Sequence, residues 1–455
     1  MGNFTLLISI IFFLATAASA LTYALVVRKA SIADPIVQFI LFFCLFVVPL
    51  PLRAWMTLEI DGDVTPHLAE LLPFIPKAVF LSAVGLIFFV PAYYSRTSYR
   101  IAAHIPQIRG GQRSLLAFLV LAAFSLFLII QLATSVGGLF SLLLLGYGVT
   151  SEMTGKGYLA MGFTWFFVAC MFLLYGYAST GKRKYLLAFG IGFSFVVLTH
   201  LVMARRATLL YMGLAVWLFW HHAVRPLKSR TLIVTGVVGF VALNLVGVLR
   251  SSSYESVGDM WDKTSTSWES ERDTNFQDLT YTLTTGEFVV PFETLPQMIE
   301  SVGASISPEL GMTYIRAPLQ FIPQALFPSR PAPLQNWYIA KFYGGGFGTN
   351  EGRAFFFLSE GYLNFGSAGV IATMIAWGLC LGSVHAYISD KRRTVGGILL
   401  CSLIIAFIYV GIAGESISII VGLPETSLVA AMIGLWMTTW GTSKSMRALR
   451  LTTPH

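Results

Sequence analysis

The feature that most constrains this chain is a series of apolar runs, each about 17–25 residues long, separated by polar segments. A run of that length can cross the hydrocarbon core of a bilayer as a helix. Lipid offers the backbone no hydrogen-bond partners, so only helices and closed barrels span it, and these runs lack the alternation of barrel strands. Because 56% of the residues are hydrophobic and only 11% are charged, we predict an all-α polytopic membrane protein.

The apolar runs predict about 11 transmembrane helices. We place them near residues 4–27, 36–52, 74–94, 114–132, 159–178, 185–203, 207–223, 231–249, 368–388, 395–413 and 425–441. The chain then has three predicted segments. Residues 1–249 form an N-terminal membrane bundle of about eight spans, residues 250–367 form one large external loop with short helices, and residues 368–455 form about three C-terminal spans.

The basic residues predict the orientation of these spans. Loops on one side carry 18 of the 30 Lys and Arg residues but only Asp34 and Asp390 among the 22 acids. Because basic loops remain cytoplasmic, we predict a cytoplasmic C-terminus, an N-terminus outside and an external 250–365 segment. The basic loops are short and juxtamembrane, so they indicate contact with anionic lipid headgroups rather than nucleic acid. All four cysteines lie in apolar runs, and no Cys/His cluster indicates a metal site.

Charges at a membrane edge are costly and are therefore functional candidates. Arg205 and Arg206 lie at the outer end of two apolar runs, with no acidic residue within ten positions. Their planar guanidinium groups suit phosphate oxygens, although snorkelling to outer-leaflet headgroups is the alternative. His200, about one helical turn earlier, is either a general base or a histidine packed inside the bundle.

Two further candidates lie at the start of the external segment and within it. Arg250 ends its predicted span at the outer surface, where it could hold an anion or pair with Glu255. Residues 286–303 have apolar positions at helical spacing and predict an interfacial helix. Glu287 on this helix is a candidate base, with simple solvation of an exposed face as the alternative.

The stretch GMTYIRAPLQFIPQALFPSRP, residues 311–331, contains too many prolines for a long helix. It predicts short turns that present Arg316 and Arg330 from a rigid frame. A glycine-rich loop, YGGGFGTNEGR, then leads to Arg353 but lacks the ending of a nucleotide-binding loop. Glu360 and Asn364 follow on one face of a helical turn that enters the next span, and Glu360 is the leading candidate base.

These features resemble the bacterial O-antigen and capsule repeat-unit polymerases of the Wzy type. The resemblance rests on AlaArgArgAlaThrLeuLeu near the membrane edge, on an arginine that closes the span before a large external loop, and on the late external stretch. That stretch is GMTYIRAPLQFIPQALFPSRP, followed by a glycine-rich loop and EGYLNFGSAGV. The similarity covers about residues 200–385, whereas the N-terminal half matches only in its hydropathy profile.

The resemblance implies a metal-independent lipid-linked glycosyltransferase of the GT-C kind, with no cofactor. Such proteins join oligosaccharide repeats carried on undecaprenyl diphosphate, on the periplasmic face of the bacterial cytoplasmic membrane, in lipopolysaccharide biosynthesis. The implied partners are the lipid-linked donor and acceptor, membrane lipids and a chain-length regulator protein. The residues implied to bind the diphosphate leaving group are Arg205, Arg206, Arg250, Arg316, Arg330 and Arg353. A carboxylate or histidine would deprotonate the acceptor hydroxyl, and the candidates are Glu360, His200 and Glu287.

Two other functions remain open at this point. An O-antigen ligase shares the architecture but transfers the finished chain to the lipid A core. A lipid-linked oligosaccharide flippase or transporter would place its charges along a central path and have short loops. This chain instead concentrates its polar residues in one large external segment, which favours the polymerase.

Overall fold

A computed structural model describes most of the chain. The described residues are 2–58, 66–108, 110–138, 141–142, 157–203, 205–228, 230–231, 234, 236, 239, 289–322, 326–344, 354–390 and 393–439. Within these ranges the chain is helical and contains no β-strand. The predicted all-α fold class is therefore confirmed.

The helices of the first half precede residue 220. They are α1 Gly2–Thr22, α2 Pro35–Val47, α3 Pro49–Met56, α4 Pro66–Leu71, α5 Ile75–Tyr93, α6 Arg96–His104, α7 Ser114–Ser135, α8 Gly157–Thr180, α9 Arg183–Val202 and α10 Arg206–Phe219. The later helices are α11 Val290–Ser301, α12 Met312–Arg316, α13 Leu334–Phe342, α14 Phe357–Ser389, α15 Val395–Ala406, α16 Ile408–Ala413 and α17 Val429–Thr439. Short π-helical or 3-10 segments are Tyr23–Val27, Trp220–Val224, Ala317–Phe321, Ser418–Gly422 and Pro424–Leu428.

Ten helical stretches among the described residues are long and apolar enough to cross a membrane. They are Phe4–Val27, Pro35–Met56, Ile75–Tyr93, Ser114–Ser135, Tyr158–Thr180, Arg183–Val202, Arg206–Val224, Phe357–Ser389, Val395–Ala413 and Ser418–Thr439. Each contains one of the predicted runs or overlaps most of it. The remaining predicted run, 231–249, lies almost entirely outside the described residues.

The exposed side chains of these helices are those of a lipid-facing surface. On α9, Leu187, Ile191 and Leu198 are 70%, 68% and 61% exposed. Their spacing of four and seven residues places them on one face of the helix. An apolar face of this length would be costly in water, whereas lipid covers it favourably. The chain is a multi-pass membrane protein.

The chain packs into two compact units. The first comprises Met1–Ile105, Ser270–Tyr387 and Phe407–Gly422, and the second comprises Pro106–Glu269, Ile388–Ala406 and Leu423–His455. Each unit therefore combines segments that are far apart in sequence. The three predicted segments were defined by their position relative to the bilayer, and they stay a prediction.

The first unit has an aromatic core. The buried rings of Phe39 and Phe89 are stacked with their centroids 4.1 Å apart. The ring of Phe357, at the start of α14, meets that of Phe43 edge to face at 6.0 Å. Farther along α14, Gly378 lets this helix approach the backbone of α5, since a Cβ there would lie 2.6 Å from the carbonyl oxygen of Phe89. This packing fixes α14 against α2 and α5 within the first unit.

In the second unit, α7 packs along α8. Leu128, Leu132, Phe163 and Met203 belong to one buried apolar cluster that joins these helices to the end of α9. The Trp165 indole N–H donates to the Glu425 carbonyl oxygen (2.7 Å) and satisfies a polar atom within an apolar bundle.

Candidate functional site

The site is built around the first turns of α14, residues 357–364, which we call the hub helix. It is separated from the membrane-spanning part of α14 by a kink, where Phe365 has φ −138° and Gly366 has φ +60°. Glycine adopts a positive φ without the steric cost that a side chain would add. The predicted span at 368–388 thus corresponds to the part of α14 after the kink, and the predicted helical turn before it corresponds to the hub helix.

The kink leaves the last carbonyl groups of the hub helix without helical partners. The Glu309 backbone N–H donates to the Leu363 carbonyl (3.1 Å), and the Leu310 N–H donates to the Asn364 carbonyl (3.2 Å). The segment that leads into α12 is therefore attached to the end of the hub helix.

Asn364 strengthens this attachment through its side chain. Its Oδ1 accepts from the Gly311 backbone N–H (2.7 Å), and its Nδ2 donates to Thr313 Oγ1 (2.7 Å). The same amide also donates to the Glu360 carbonyl oxygen (2.8 Å), one turn earlier. Asn364 is fully buried. Without these bonds its side-chain amide would be buried with unsatisfied polar atoms, which costs free energy of folding.

Glu360 lies on the hub helix and is held by a turn from far along the sequence. The Ser416 backbone N–H donates to Glu360 Oε2 (2.6 Å), and Ser416 Oγ donates to Glu360 Oε1 (2.7 Å). The carboxyl group is thereby fixed through both oxygens, although the residue is only 2% exposed. Thr313 makes a further side-chain hydrogen bond to this carboxyl group, and the remaining lone pairs can accept a proton from a ligand.

Glu415, the neighbour of Ser416, holds the beginning of α13 in place through hydrogen bonds. Its two carboxylate oxygens accept from the backbone N–H groups of Leu334 (2.7 Å) and Gln335 (3.2 Å), the first residues of that helix. These N–H groups have no partner within the helix itself. Burial raises the pKa of the Glu415 carboxyl to about 7; the two N–H donors oppose this rise, and the Glu360 charge adds to it.

These segments enclose a small cavity in the first unit, which we call the carboxylate cavity. Its volume is about 170 Å³. The polar and aromatic side chains that line it come from four separate stretches of sequence. They include Glu309, Thr313, Arg316, Trp337, Glu360 and Glu415. Two residues singled out from the sequence, Arg316 and Glu360, thus line one cavity.

Arg316 is at the exposed part of this lining. Its side chain is 44% exposed, and its Nη1 lies 3.4 Å from Oε2 of Glu309, which is 36% exposed. An ion pair this accessible to solvent contributes about 0–1 kcal/mol. A stronger anion could therefore displace Glu309 from the guanidinium at little cost.

Arg330 has a different role in the structure. Its Nη1 donates to the carbonyl oxygens of Gln320 (3.0 Å) and Ile322 (2.8 Å). The Gln320 side-chain amide in turn donates to the Pro331 carbonyl (2.5 Å). These bonds brace the proline-rich stretch, whose prolines cannot supply N–H donors of their own.

A larger apolar groove lies elsewhere in the first unit, between α1 and α5. Its volume is about 950 Å³, and its lining includes the stacked rings of Phe12 and Phe80 together with Lys77. The Lys77 ammonium group lies 3.4 Å from the Tyr362 hydroxyl on the hub helix. Tyr362 and Glu360 are two positions apart, so their side chains point to different sides of that helix.

His200, Arg205 and Arg206 belong to the second unit. His200 is fully buried at the end of α9, and its Nδ1 is 2.9 Å from the Val196 carbonyl oxygen of the same helix. Its ring meets Phe163 edge to face at 6.0 Å. Arg205 and Arg206, at the start of α10, are both half-buried.

The other candidate residues lie outside the described residues. They are Arg250, Glu287 and Arg353. Their predicted roles stay predictions.

Sequence reasoning gave no site role to Glu415, Ser416 and Trp337. A signal for Glu415 was present, because it is an acid in a short loop between two apolar runs. Ser416 and Trp337 carried no such signal. Ser416 matters through its bond to Glu360, 56 positions away, and Trp337 matters because folding brings it to the wall of the same cavity.

Among the described residues, no group of three or more His, Cys, Asp or Glu side chains is arranged to hold a metal ion. Comparison with known proteins adds no relative, because no protein-family model, curated protein or solved structure matches this chain. The function is therefore inferred from the site itself.

Proposed function

We propose that the protein is a polymerase that joins polyprenyl-diphosphate-linked oligosaccharide repeat units into O-antigen or a related surface polysaccharide, on the periplasmic face of the bacterial cytoplasmic membrane. One observation carries the proposal: a carboxylate fixed at both oxygens, Glu360, lines the same cavity as a solvent-accessible guanidinium, Arg316. A base and a cation in one cavity are what transfer from a diphosphate leaving group requires.

In the proposed reaction, Glu360 accepts the proton of an acceptor sugar hydroxyl. The hydroxyl oxygen then forms a bond to the anomeric carbon of the donor, while the bond from that carbon to the diphosphate oxygen breaks. The polyprenyl diphosphate leaves with the electron pair of that bond. Its new negative charge is stabilised by guanidinium groups, so the step needs no metal ion.

The role of each arginine in this proposal follows its surroundings. Arg316 is available for the diphosphate because its only described ion pair is the weak one with Glu309. Arg330 acts mainly on the shape of the loop, because its Nη1 is bonded to two carbonyls. The diphosphate roles predicted for Arg205, Arg206, Arg250 and Arg353 stay predictions. The groove between α1 and α5 offers an apolar surface for the polyprenyl chain.

The direct test is polymerisation of purified polyprenyl-diphosphate repeat units by the purified protein, with and without EDTA. We expect a ladder of polymers of increasing length in both conditions. Loss of the ladder in EDTA would contradict the metal-independent mechanism. A deletion strain that accumulates full-length polymer on polyprenol would instead indicate a ligase, and one that accumulates repeat units on the cytoplasmic face would indicate a flippase.

Arginine variants test the diphosphate role. Arg316→Ala and Arg353→Ala should each abolish polymer while the protein stays in the membrane. Arg100→Ala is the matched control, because Arg100 is an exposed arginine of the first unit that does not line the carboxylate cavity. Wild-type polymer from both site variants would remove these arginines from the mechanism.

A further inference from the structure

The charges of the carboxylate cavity identify which part of a substrate it suits. Among the described residues, three carboxyl groups line it, those of Glu309, Glu360 and Glu415, together with one guanidinium, that of Arg316. Glu360 and Glu415 are only 2% and 5% exposed. Repulsion between these buried groups and a diphosphate would be weakly screened by solvent. The interior of the cavity is therefore unfavourable for a diphosphate.

Sugar hydroxyl groups have the opposite preference. A hydroxyl donates readily to a carboxylate oxygen, and hydrogen bonds to charged acceptors are stronger than neutral ones. Trp337 adds an aromatic surface against which the C–H face of a sugar ring can pack. The lining thus combines acceptors for hydroxyl groups with an apolar face.

The size of the cavity limits what it can hold. Pockets for drug-sized ligands have volumes of about 300–1,000 Å³, whereas this cavity has about 170 Å³. It can therefore enclose one ring of an oligosaccharide but not a whole repeat unit.

We infer that the carboxylate cavity is the subsite for one sugar ring of the acceptor, and that the donor diphosphate contacts only its exposed edge at Arg316. This inference rests on the proposed function and assigns a substrate to the same site. It places the acceptor hydroxyl beside Glu360 in the buried interior and the leaving group beside the exposed guanidinium.

Glu415 is a positioning residue in this arrangement. Its carboxylate is bonded to the first N–H groups of α13, the helix that carries Trp337. Trp337 is further held by an edge-to-face contact with Phe355, with ring centroids 6.4 Å apart. These contacts fix the aromatic wall of the cavity before the sugar arrives.

The test uses two probes on the full-length protein in detergent. The first is the lipid-free repeat-unit oligosaccharide, released from its polyprenyl diphosphate by mild acid, and the second is inorganic diphosphate. Binding of each is measured by saturation-transfer NMR and by isothermal titration. We expect Trp337→Ala to weaken oligosaccharide binding about tenfold, equivalent to a loss of about 1.4 kcal/mol, and to leave diphosphate binding within about twofold of wild type.

Three further variants complete the design. Trp337→Phe keeps an aromatic wall and should retain most of the oligosaccharide affinity. Arg316→Ala should weaken diphosphate binding and spare the oligosaccharide. Trp436→Ala is the control, since Trp436 is 61% exposed on α17 of the second unit.

Two binding outcomes would overturn the inference. One is oligosaccharide binding that is unchanged in Trp337→Ala, and the other is displacement of the oligosaccharide by inorganic diphosphate in direct competition. Failure of the proposed function gives a different pattern, in which the wild type binds the oligosaccharide through Trp337 but does not polymerise lipid-linked repeats. Polymerisation that is insensitive to Trp337→Ala would remove the subsite and leave the polymerase.

Discussion

The carboxylate cavity and the His200–Arg206 stretch are two regions where the sequence places polar residues against an apolar background, and their surroundings differ. Glu360 is bonded to Ser416, 56 positions away, and lines the carboxylate cavity. The ring of His200 is bonded only to a carbonyl of its own helix among the described hydrogen bonds, and it is fully buried beside Phe163.

This difference separates two reasons for keeping a polar group in a membrane protein. A group held by distant segments at the wall of a cavity is positioned to meet a ligand. A group bonded only within its own helix and covered by apolar side chains belongs to the packing of the bundle; in His200 the second ring nitrogen, Nε2, has no hydrogen-bond partner among the described residues. From this comparison we expect catalysis to depend on Glu360 and His200 to contribute to packing. Four experiments test this expectation.

Removal of the proposed base should have the largest effect. Glu360→Gln keeps the size of the side chain but cannot accept a proton, so we expect polymerisation to fall by about 10²–10⁴-fold, the usual contribution of a general base. The measurement is the initial rate with purified lipid-linked repeats. Glu300→Gln is the matched control, because Glu300 is a half-buried glutamate on α11 that does not line the cavity. A Glu360→Gln protein with wild-type rates would exclude Glu360 as the base.

The ionisation of Glu415 should make the stability of the protein depend on pH. Its folded pKa of about 7 lies above the ordinary value of 4.5, so its contribution to stability is full below about 4.5 and is lost as the pH rises through about 7. The shift corresponds to at most about 3 kcal/mol. Between pH 5 and 8 the melting temperature of the wild type should therefore fall relative to that of Glu415→Gln. Parallel melting curves across this range would show that burial does not perturb this carboxyl.

The attachment of residues 309–313 to the hub helix should depend on Asn364. Asn364→Ala leaves the Gly311 N–H and the Thr313 hydroxyl without their described partner, at a cost of about 1–3 kcal/mol. A lower melting temperature of the purified protein would measure this loss. Asn336→Ala, an exposed asparagine on α13, should leave the melting temperature unchanged. Equal melting temperatures for the two variants would contradict the attachment.

The smallest effect on catalysis should come from His200. His200→Gln can still donate from its side-chain amide toward Val196, so we expect polymerisation within about threefold of wild type, far from the 10²–10⁴-fold loss expected for a base. The same rate assay measures it. A loss as large as that of Glu360→Gln would reverse the comparison and make His200 part of the mechanism.

Much of the fold could be predicted from the sequence because its cause is local. The apolar runs had to be helices, since a helix satisfies its own backbone within lipid, and stretches such as Phe4–Val27 and Val395–Ala413 agree with the predicted bounds. The hub helix was also predictable in part, because Glu360 and Asn364 are four positions apart and lie on one helical face.

The candidate site was predictable only in part because its contacts are not local. Arg316 and Arg330 have the same chemistry and lie in the same proline-rich stretch, yet one lines the cavity and the other braces the loop. No pattern in the sequence distinguishes them, since the difference depends on which backbone carbonyls come within reach after folding.

The sequence by itself determined that this chain is a helical membrane protein, and it identified the charges of the long polar segment and of the ends of the apolar runs as candidates for function. Hydropathy and the need to satisfy backbone hydrogen bonds suffice for that conclusion. Only the tertiary structure decided which polar groups share a cavity, through the kink at Gly366, the attachment of residues 309–313 and the turn that carries Glu415 and Ser416. Those contacts join residues 51 to 81 positions apart, so their geometry arises from packing rather than from any local preference.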